Sequence, residues 1–420
     1  MRLSGSVQRF RLQRHRLQLH RLGAVGVCVV SAACGEGSPP PVANGLPNEP
    51  VLSTPPAEAA EAATNGAEAE LPAGSSESNA PVEGLALPGE LTPGEGASLP
   101  GGGSQDGGAP VGSGVGEPAN TFRCGNWADQ KDNFVNGDLL LSGLAITDGY
   151  AEVLAKSDRI LAEFQRTANA NAIRLPINEP TVLGNAWETY KGAIDAAIRR
   201  QMRVIVAYWA WHNGMADDAG RFDAMWDRVI DTYGGEDLVY FEVFNEPWAY
   251  SDVTPILEIE AEWLARHANV PRGRMVIAGS WSDQEVRVQG ADPRFDGTLL
   301  SVHIYPFNNA TRTVTQEWKD ALDYNLGGHG SRVILTEWGA PMTGGADYSG
   351  PGDGNHNASF ITGVSTYLQE NDIGSCYWPL LRAGDAWSLT TLGGDAENPV
   401  LNVNNASGLA RVQSAFRLVP

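Results

Sequence analysis

Eight short apolar runs, separated by longer amphipathic stretches, constrain this chain more than any of its other features. They lie at 139–144, 172–177, 203–208, 239–245, 275–280, 299–304, 332–337 and 375–380. Successive runs begin roughly 25–40 residues apart, the spacing of a strand, a helix and two loops. The runs are rich in Val, Ile, Leu and aromatics without strict alternation, as strands buried on both faces are. The stretches between them keep a helical period. Ile160, Leu161 and Phe164 share one face; so do Ile194, Ala197 and Ile198, and so do Met225, Trp226, Val229 and Ile230. Eight such units predict an α/β fold, a (β/α)8 TIM barrel over 121–420. An open doubly wound sheet is the alternative, and near-even repeats favour closure.

The first 120 residues read differently. Residues 1–34 hold six Arg and no acid. Their basic opening precedes an apolar stretch over 22–30 and then Ser31-Ala32-Ala33-Cys34. Basic, apolar and small in that order is a signal-peptide layout, with an apolar core too short for a permanent membrane span. Small residues running into Cys34 resemble a bacterial lipobox, although Ser31 stands where a large aliphatic is usual. Lipidation at Cys34 is the expectation, with ordinary secretion as the alternative. Residues 35–120 carry twelve acids, no Lys or Arg, and mostly Pro, Gly, Ala and Ser. Such a segment cannot bury enough apolar surface to offset its ordering entropy, so it reads as a disordered tether. An exported protein, surface-anchored or secreted, is expected.

Residues 121–420 hold 23 basic and 38 acidic residues, a net charge of −15. That argues against nucleic acid, whose phosphates need a basic patch. It suits a neutral ligand such as a sugar polymer. Cys124 and Cys376 are the cysteines outside the signal region. Export favours a disulfide between them; two separate buried thiols are the other reading.

In a barrel of this kind the chemistry sits where strands end. The second run carries Arg174, and the third leads into Trp209, Trp211 and His212. The fourth ends in Asn245-Glu246-Pro247, the sixth in His303-Ile304-Tyr305, the seventh in Glu337-Trp338-Gly339, and the eighth carries Trp378. Two carboxylates at opposite sides of a barrel mouth are the equipment of glycoside hydrolysis. One protonates the leaving oxygen; the other attacks the sugar or activates water. Their separation, which decides between retention and inversion, is not legible in the sequence. Trp209 and Trp211 alternate, so in an extended segment they share one face and could line a sugar cleft. Trp248, Trp281, Trp338 and Trp387 fall in loops above the barrel, whereas Trp226, Trp263 and Trp318 lie in helical stretches and read as core.

In their order, Arg174, His212, Asn245, Glu246, His303, Tyr305, Glu337 and Trp378 resemble glycoside hydrolase family 5, over about 139–385. The resemblance implies a retaining enzyme acting on a β-linked polysaccharide or oligosaccharide, with Glu246 as acid/base and Glu337 as nucleophile. It implies that Arg174 and Tyr305 support Glu337, that His303 neighbours Glu246, and that Asn245 meets the sugar 2-hydroxyl. Trp378 would face the sugar ring, and His212 would bond a hydroxyl beside it. A β-1,4-glucan is the default substrate, as for a cellulase. A mannan, a xylan or exo action on the same fold is the next reading. A surface lipoprotein that binds glycans without cleaving them is the competing class, disfavoured because a binder needs neither glutamate. No zinc-binding helix, phosphate loop or serine elbow is present. No cofactor or metal is expected, the only membrane contact would be the lipid anchor, and a monomer is expected.

Overall fold

The computed structural model of the protein describes residues 116–131, 133–211, 214–248, 250 and 252–418. The signal segment with Cys34, the tether to residue 115, and His212 lie outside the described residues. Eight parallel strands form the barrel: β1 (Arg123–Trp127), β2 (Ala172–Ile177), β3 (Arg203–Tyr208), β4 (Val239–Glu242), β5 (Met275–Ile277), β6 (Leu299–Ile304), β7 (Val333–Trp338) and β8 (Gly374–Leu381). Each pairs with the next, and β1 also pairs in parallel with β8, so the sheet closes on itself. That closure excludes the open sheet. A hairpin, β9 (Thr390–Gly394) and β10 (Pro399–Val403), extends the sheet beyond β8.

The helices follow the amphipathic stretches: α1 (Tyr150–Ala168), α2 (Glu179–Leu183), α3 (Trp187–Arg199), α4 (Ala219–Tyr233) and α5 (Thr254–Arg266), then Thr315–Leu326, His356–Glu370 and Ala406–Ala415 among the longer ones. Side-chain acceptors start several of them. Asn178 accepts from Thr181 N, Asp218 from Arg221 N and Asn405 from Gly408 N, which satisfies donors a helix cannot pair internally. The inward face of α4 buries Met225, Trp226 and Val229 completely. Each such side chain contributes about 1.5–3 kcal/mol of transfer free energy. Trp263 and Trp318 are also buried.

One strand is misplaced by the sequence pattern. Residues 139–144 do not form the first strand; they make an irregular segment with a single bridge, Asp129 to Leu141. The first strand is β1, which has no aliphatic run at all. Leu139, Leu141 and Leu144 are buried because the segment packs against the barrel wall. β1 is built instead from specific contacts. Asn126 Nδ2 donates to the Thr336 and Tyr377 carbonyls at 3.0 and 3.3 Å, and Trp127 Nε1 donates to Ser142 O at 2.8 Å. Gly125 allows the closest approach, since a Cβ there would lie 2.4 Å from Leu380 Cδ2.

Cys124 therefore does not precede the first strand. It is the second residue of β1, directly opposite Cys376 in the β1–β8 register, and the two form a disulfide. Both belong to the lower layer of the barrel interior, with Phe122, Ile205, Tyr240 and Ile334. Ala119 joins that layer, and Glu117 N donates to Tyr240 Oη at 2.8 Å. Contacts with the barrel thus begin before the expected boundary at residue 121.

Candidate active site

Arg174 organises the barrel interior above that lower layer. It is the third residue of β2 and is 1% exposed. Its Nε and Nη2 donate to the two oxygens of Glu242 at 2.6 and 2.8 Å. Nη1 donates to Glu337 Oε1 at 2.5 Å and to Asn126 Oδ1 at 3.0 Å, and Nη2 also reaches Asn245 Oδ1 at 2.7 Å. A planar fork with five N–H groups suits this geometry. Burial disfavours the charge, but Glu242 and Glu337 more than offset it, so the guanidinium is held more firmly protonated than usual.

Glu337, within β7, accepts Tyr305 Oη at 2.6 Å on its second oxygen. Glu246 lies four residues past the end of β4 with a left-handed backbone, φ 46°. That conformation costs a residue with a Cβ roughly 1–2 kcal/mol. It is held by Asp283 Oδ2, which accepts the Glu246 N–H at 2.7 Å. Gly214 passes so close beneath that a Cβ there would lie 2.2 Å from Glu246 O. The Glu246 carboxylate meets His303 Nδ1 at 3.0 Å, and the same nitrogen is 3.7 Å from Glu337 Oε2. One oxygen of Glu246, one of Glu337 and a ring nitrogen of His303 all lie within 4.8 Å of one another.

Burial pushes the Glu246 carboxyl up to about 7; Arg174 opposes the rise and Glu242 adds to it. Burial also holds Glu337 above the usual carboxylate value, with Glu246 adding to the rise and Arg174 and the Tyr305 hydroxyl opposing it. Two carboxylates this close do not ionise independently. The one in contact with the permanent cation keeps its charge, so the proton belongs on Glu246. Burial lowers His303 to about 4, leaving a neutral ring at neutral pH.

Asn245 is fully buried, and its Nδ2 has no hydrogen-bond partner among the described residues. That leaves one amide donor unpaired beside Arg174, to which the same side chain presents its oxygen. Trp378 in β8 stacks on Trp209, ring centres 5.4 Å apart and planes 24° from parallel. Trp209 and Trp211 do not share a wall. The chain leaves the strand at Tyr208, so the expected alternation lapses. Trp209 is buried against Trp378, whereas Trp211 Nε1 donates to Asp217 and lines a separate hollow with Glu179 and Tyr208. Trp338 is the last residue of β7 and fully buried, not a loop aromatic. Trp248 and Trp281 are exposed at the rim, and Trp387 is half-buried against Tyr305 and Phe307.

Sequence reasoning passed over Glu242, Asn126, Ser301, Thr336 and Asp283. Glu242 had a signal, an acid inside an otherwise apolar run. Ser301 donates to it at 3.0 Å and lies 2.5 Å from Thr336 Oγ1. Neither carboxylate–imidazole cluster, Glu246–His303–Glu337 or Glu242–Asp283–His303, reads as a metal centre. Arg174 already lies against Glu242 and Glu337, and a divalent cation would face that fixed charge at close range.

A family model described as cellulase, glycosyl hydrolase family 5, matches residues 150–384. Its match begins at α1, so β1 lies outside it. No curated protein matches the chain. Among solved structures, the chain is similar to an endocellulase from Pyrococcus horikoshii determined with cellotetraose, at 14% identity and TM-score 0.51, over 70% of this chain and 92% of that one. An endo-β-1,4-glucanase from Xanthomonas axonopodis pv. citri matches at 17% identity and TM-score 0.46, over 70% and 99%. A β-mannanase from Streptomyces thermolilacinus matches at 16% and 0.41, over 59% and 80%. At 14% identity the likeness to the endocellulase is one of fold.

Proposed function

The chain belongs to glycosyl hydrolase family 5 and is a glycoside hydrolase, and from that premise we propose that it works by double displacement, with Glu246 as acid/base and Glu337 as nucleophile. One observation carries the reading: the approach of Glu246 and Glu337 oxygens to within 4.8 Å. Nearest oxygens this close suit the short carboxyl separation of a retaining pair, about 5–5.5 Å, better than the wide end of the roughly 6.5–9.5 Å range that admits a water in an inverting one.

The steps follow from the contacts. Glu246, raised to about 7, gives its proton to the departing glycosidic oxygen. Glu337 attacks the anomeric carbon and forms the glycosyl-enzyme. Arg174 and Tyr305 orient its two oxygens beforehand, so little reorganisation is needed at the moment of reaction. Water then enters on the side of Glu246, which takes its proton, and the sugar leaves with its configuration retained. The free Asn245 Nδ2 donates to the 2-hydroxyl, a contact that strengthens as the oxocarbenium develops. Trp378, half-buried and backed by Trp209, carries the sugar ring.

A β-1,4-glucan is our first substrate. The exposed rings of Trp248, Trp281 and Phe307 at the rim support a chain longer than one sugar. A mannan, a xylan or a short exo-cleaved chain would use the same carboxylates, since substrate choice resides in loops. We further propose export through the basic–apolar–small segment, anchoring at Cys34, and residues 35–115 as a tether. New reducing ends from soluble β-glucan, mannan and xylan, with Glu337→Ala alongside, test the function. Release by the wild type alone supports it. Binding of a β-glycan with no hydrolysis of polymers or aryl glycosides would make the protein a glycan binder instead.

A further inference from the structure

Asp283 is buried, carries charge-bearing chemistry, and has no place in the double displacement described above. It closes the turn Ser280–Asp283, in which Trp281, Ser282 and Asp283 all have φ near +60°. Three successive residues with a Cβ in the left-handed region are each sterically disfavoured. Backbone in so sparse a region persists where surroundings over-determine it, and such places cluster at functional sites. Here the turn delivers one carboxylate to a defined place. Asp283 Oδ1 accepts the Gly279 N–H, and Oδ2 accepts the Glu246 N–H at 2.7 Å.

The same Oδ2 lies 3.8 Å from His303 Nε2. That nitrogen is buried and has no hydrogen-bond partner among the described residues. His303 presents its other nitrogen to Glu246 at 3.0 Å. One imidazole therefore stands between two carboxyl groups, the acid/base on one side and Asp283 on the other. A closure of about 1 Å brings the second contact into hydrogen-bond range. Catalytic hydrogen bonds are often this long before a substrate tightens them.

We propose that Asp283 is a positioning residue that shares one proton with Glu246 through the ring of His303, so that the acid/base has a second seat for its proton. This rests on the assignment of Glu246 as acid/base. In one state Glu246 O–H donates to Nδ1, and Nε2–H donates to the Asp283 carboxylate. In the other, the Glu246 O–H bond has broken and an Nδ1–H bond has formed, while the Nε2–H bond has broken and an O–H bond has formed on Asp283. The ring is neutral in both, and no proton enters or leaves. A neutral ring is what its burial dictates, and burial together with Glu242 and Glu246 raises Asp283, favouring a proton there. The charged and titratable groups facing this path are Arg174 from β2, Glu242 from β4, His303 from β6, Tyr305 just after β6, and Glu337 from β7. A cation in place of the proton is excluded by Arg174, which already grips both oxygens of Glu242.

Asp283→Asn removes the second seat and one negative charge at nearly constant shape. With its oxygen kept on the Glu246 N–H, the amide cannot take up the proton, and the loss of the negative charge favours ionised Glu246. The test compares full-length wild type and Asp283→Asn on two aryl glycosides of a disaccharide the wild type hydrolyses. A phenyl leaving group needs protonation; 2,4-dinitrophenolate does not. The expected result is a fall of about 10–100-fold in kcat/KM for the phenyl glycoside, the scale of general-acid assistance, with less than about 3-fold for the dinitrophenyl glycoside. The basic limb of the phenyl pH profile should move at least about half a unit to lower pH. Equal losses on both substrates, or an unmoved basic limb, overturns the proposal and leaves Asp283 a structural clamp of the Glu246 backbone. The dinitrophenyl rate also reports folding of the variant. Failure of the underlying reading looks different: Glu246→Gln would then leave phenyl-glycoside hydrolysis intact.

Discussion

Glu246 and Glu337 carry the same functional group, separated by less than 5 Å at their nearest atoms, yet their surroundings assign them different protonation states. Glu337 is gripped by a guanidinium and a phenol; Glu246 faces a neutral imidazole. This has a consequence for stability. The folded Glu246 carboxyl, at about 7, is raised above its unfolded value near 4.5. The folded state thus binds its proton more tightly than the unfolded one. The stability it contributes is fully present below about pH 4.5 and is lost as pH rises through about 7. Glu246→Gln removes the titration. Relative to wild type, it should raise the melting midpoint by about 2–6 °C at pH 8 and leave the difference near zero at pH 4. Calorimetry at the two pH values checks this. A variant that is equally stabilised at both would show that Glu246 does not titrate in that window.

At the scale of elements, the barrel is closed by its least strand-like segment. β2, β3, β6 and β7 are apolar runs, and each stands where its composition puts it. β1 is Arg-Cys-Gly-Asn-Trp, and its fit depends on distant partners, the Tyr377 carbonyl 251 residues from Asn126 and the Leu380 side chain against Gly125. Local pattern holds no trace of such contacts. The aliphatic 139–144 stretch mimics a strand because loops packed against a barrel wall need leucines too. The site shows the same division. Arg174, Glu246, His303 and Glu337 stand in strands or directly after them, in an order legible from the chain alone. Asp283 was not legible, because nothing in Ser280-Trp281-Ser282-Asp283 announces a left-handed turn. The disulfide joins the first and last strands of the barrel across a sequence separation of 252 residues. Replacing both Cys124 and Cys376 by Ser should cost about 2–5 kcal/mol of stability. It should leave kcat nearly unchanged, since the pair lies in the lower layer, away from Glu246 and Glu337. Denaturant melts and rates on one substrate measure both; two freely labelled thiols in the unreduced wild type would contradict the bridge.

Across the whole molecule, the site described above lies in the barrel, and we propose that the first 115 residues serve placement. The boundary follows from contacts: Glu117 and Ala119 already belong to the folded unit. A chain beginning at residue 116 should match the full chain in kcat and KM on a soluble glycan. Expressed in a bacterium that lipidates exported proteins, the full chain should partition with membranes and its Cys34→Ala variant should not, with equal activity in both. A Cys34→Ala variant still recovered with membranes would remove the anchor and leave plain secretion or another attachment.

The most direct test of double displacement is to trap the intermediate. The purified enzyme is treated with a 2-deoxy-2-fluoro aryl glycoside of the disaccharide it hydrolyses, then digested and weighed peptide by peptide. The fluorine slows both steps by destabilising the oxocarbenium, and the good leaving group keeps the first step faster than the second. A retaining mechanism with Glu337 as nucleophile predicts a mass gain of one fluorosugar on the peptide bearing Glu337, lost in Glu337→Ala. Label on a different carboxylate, or turnover of the parent glycoside with an inverted first product and no label, would contradict it.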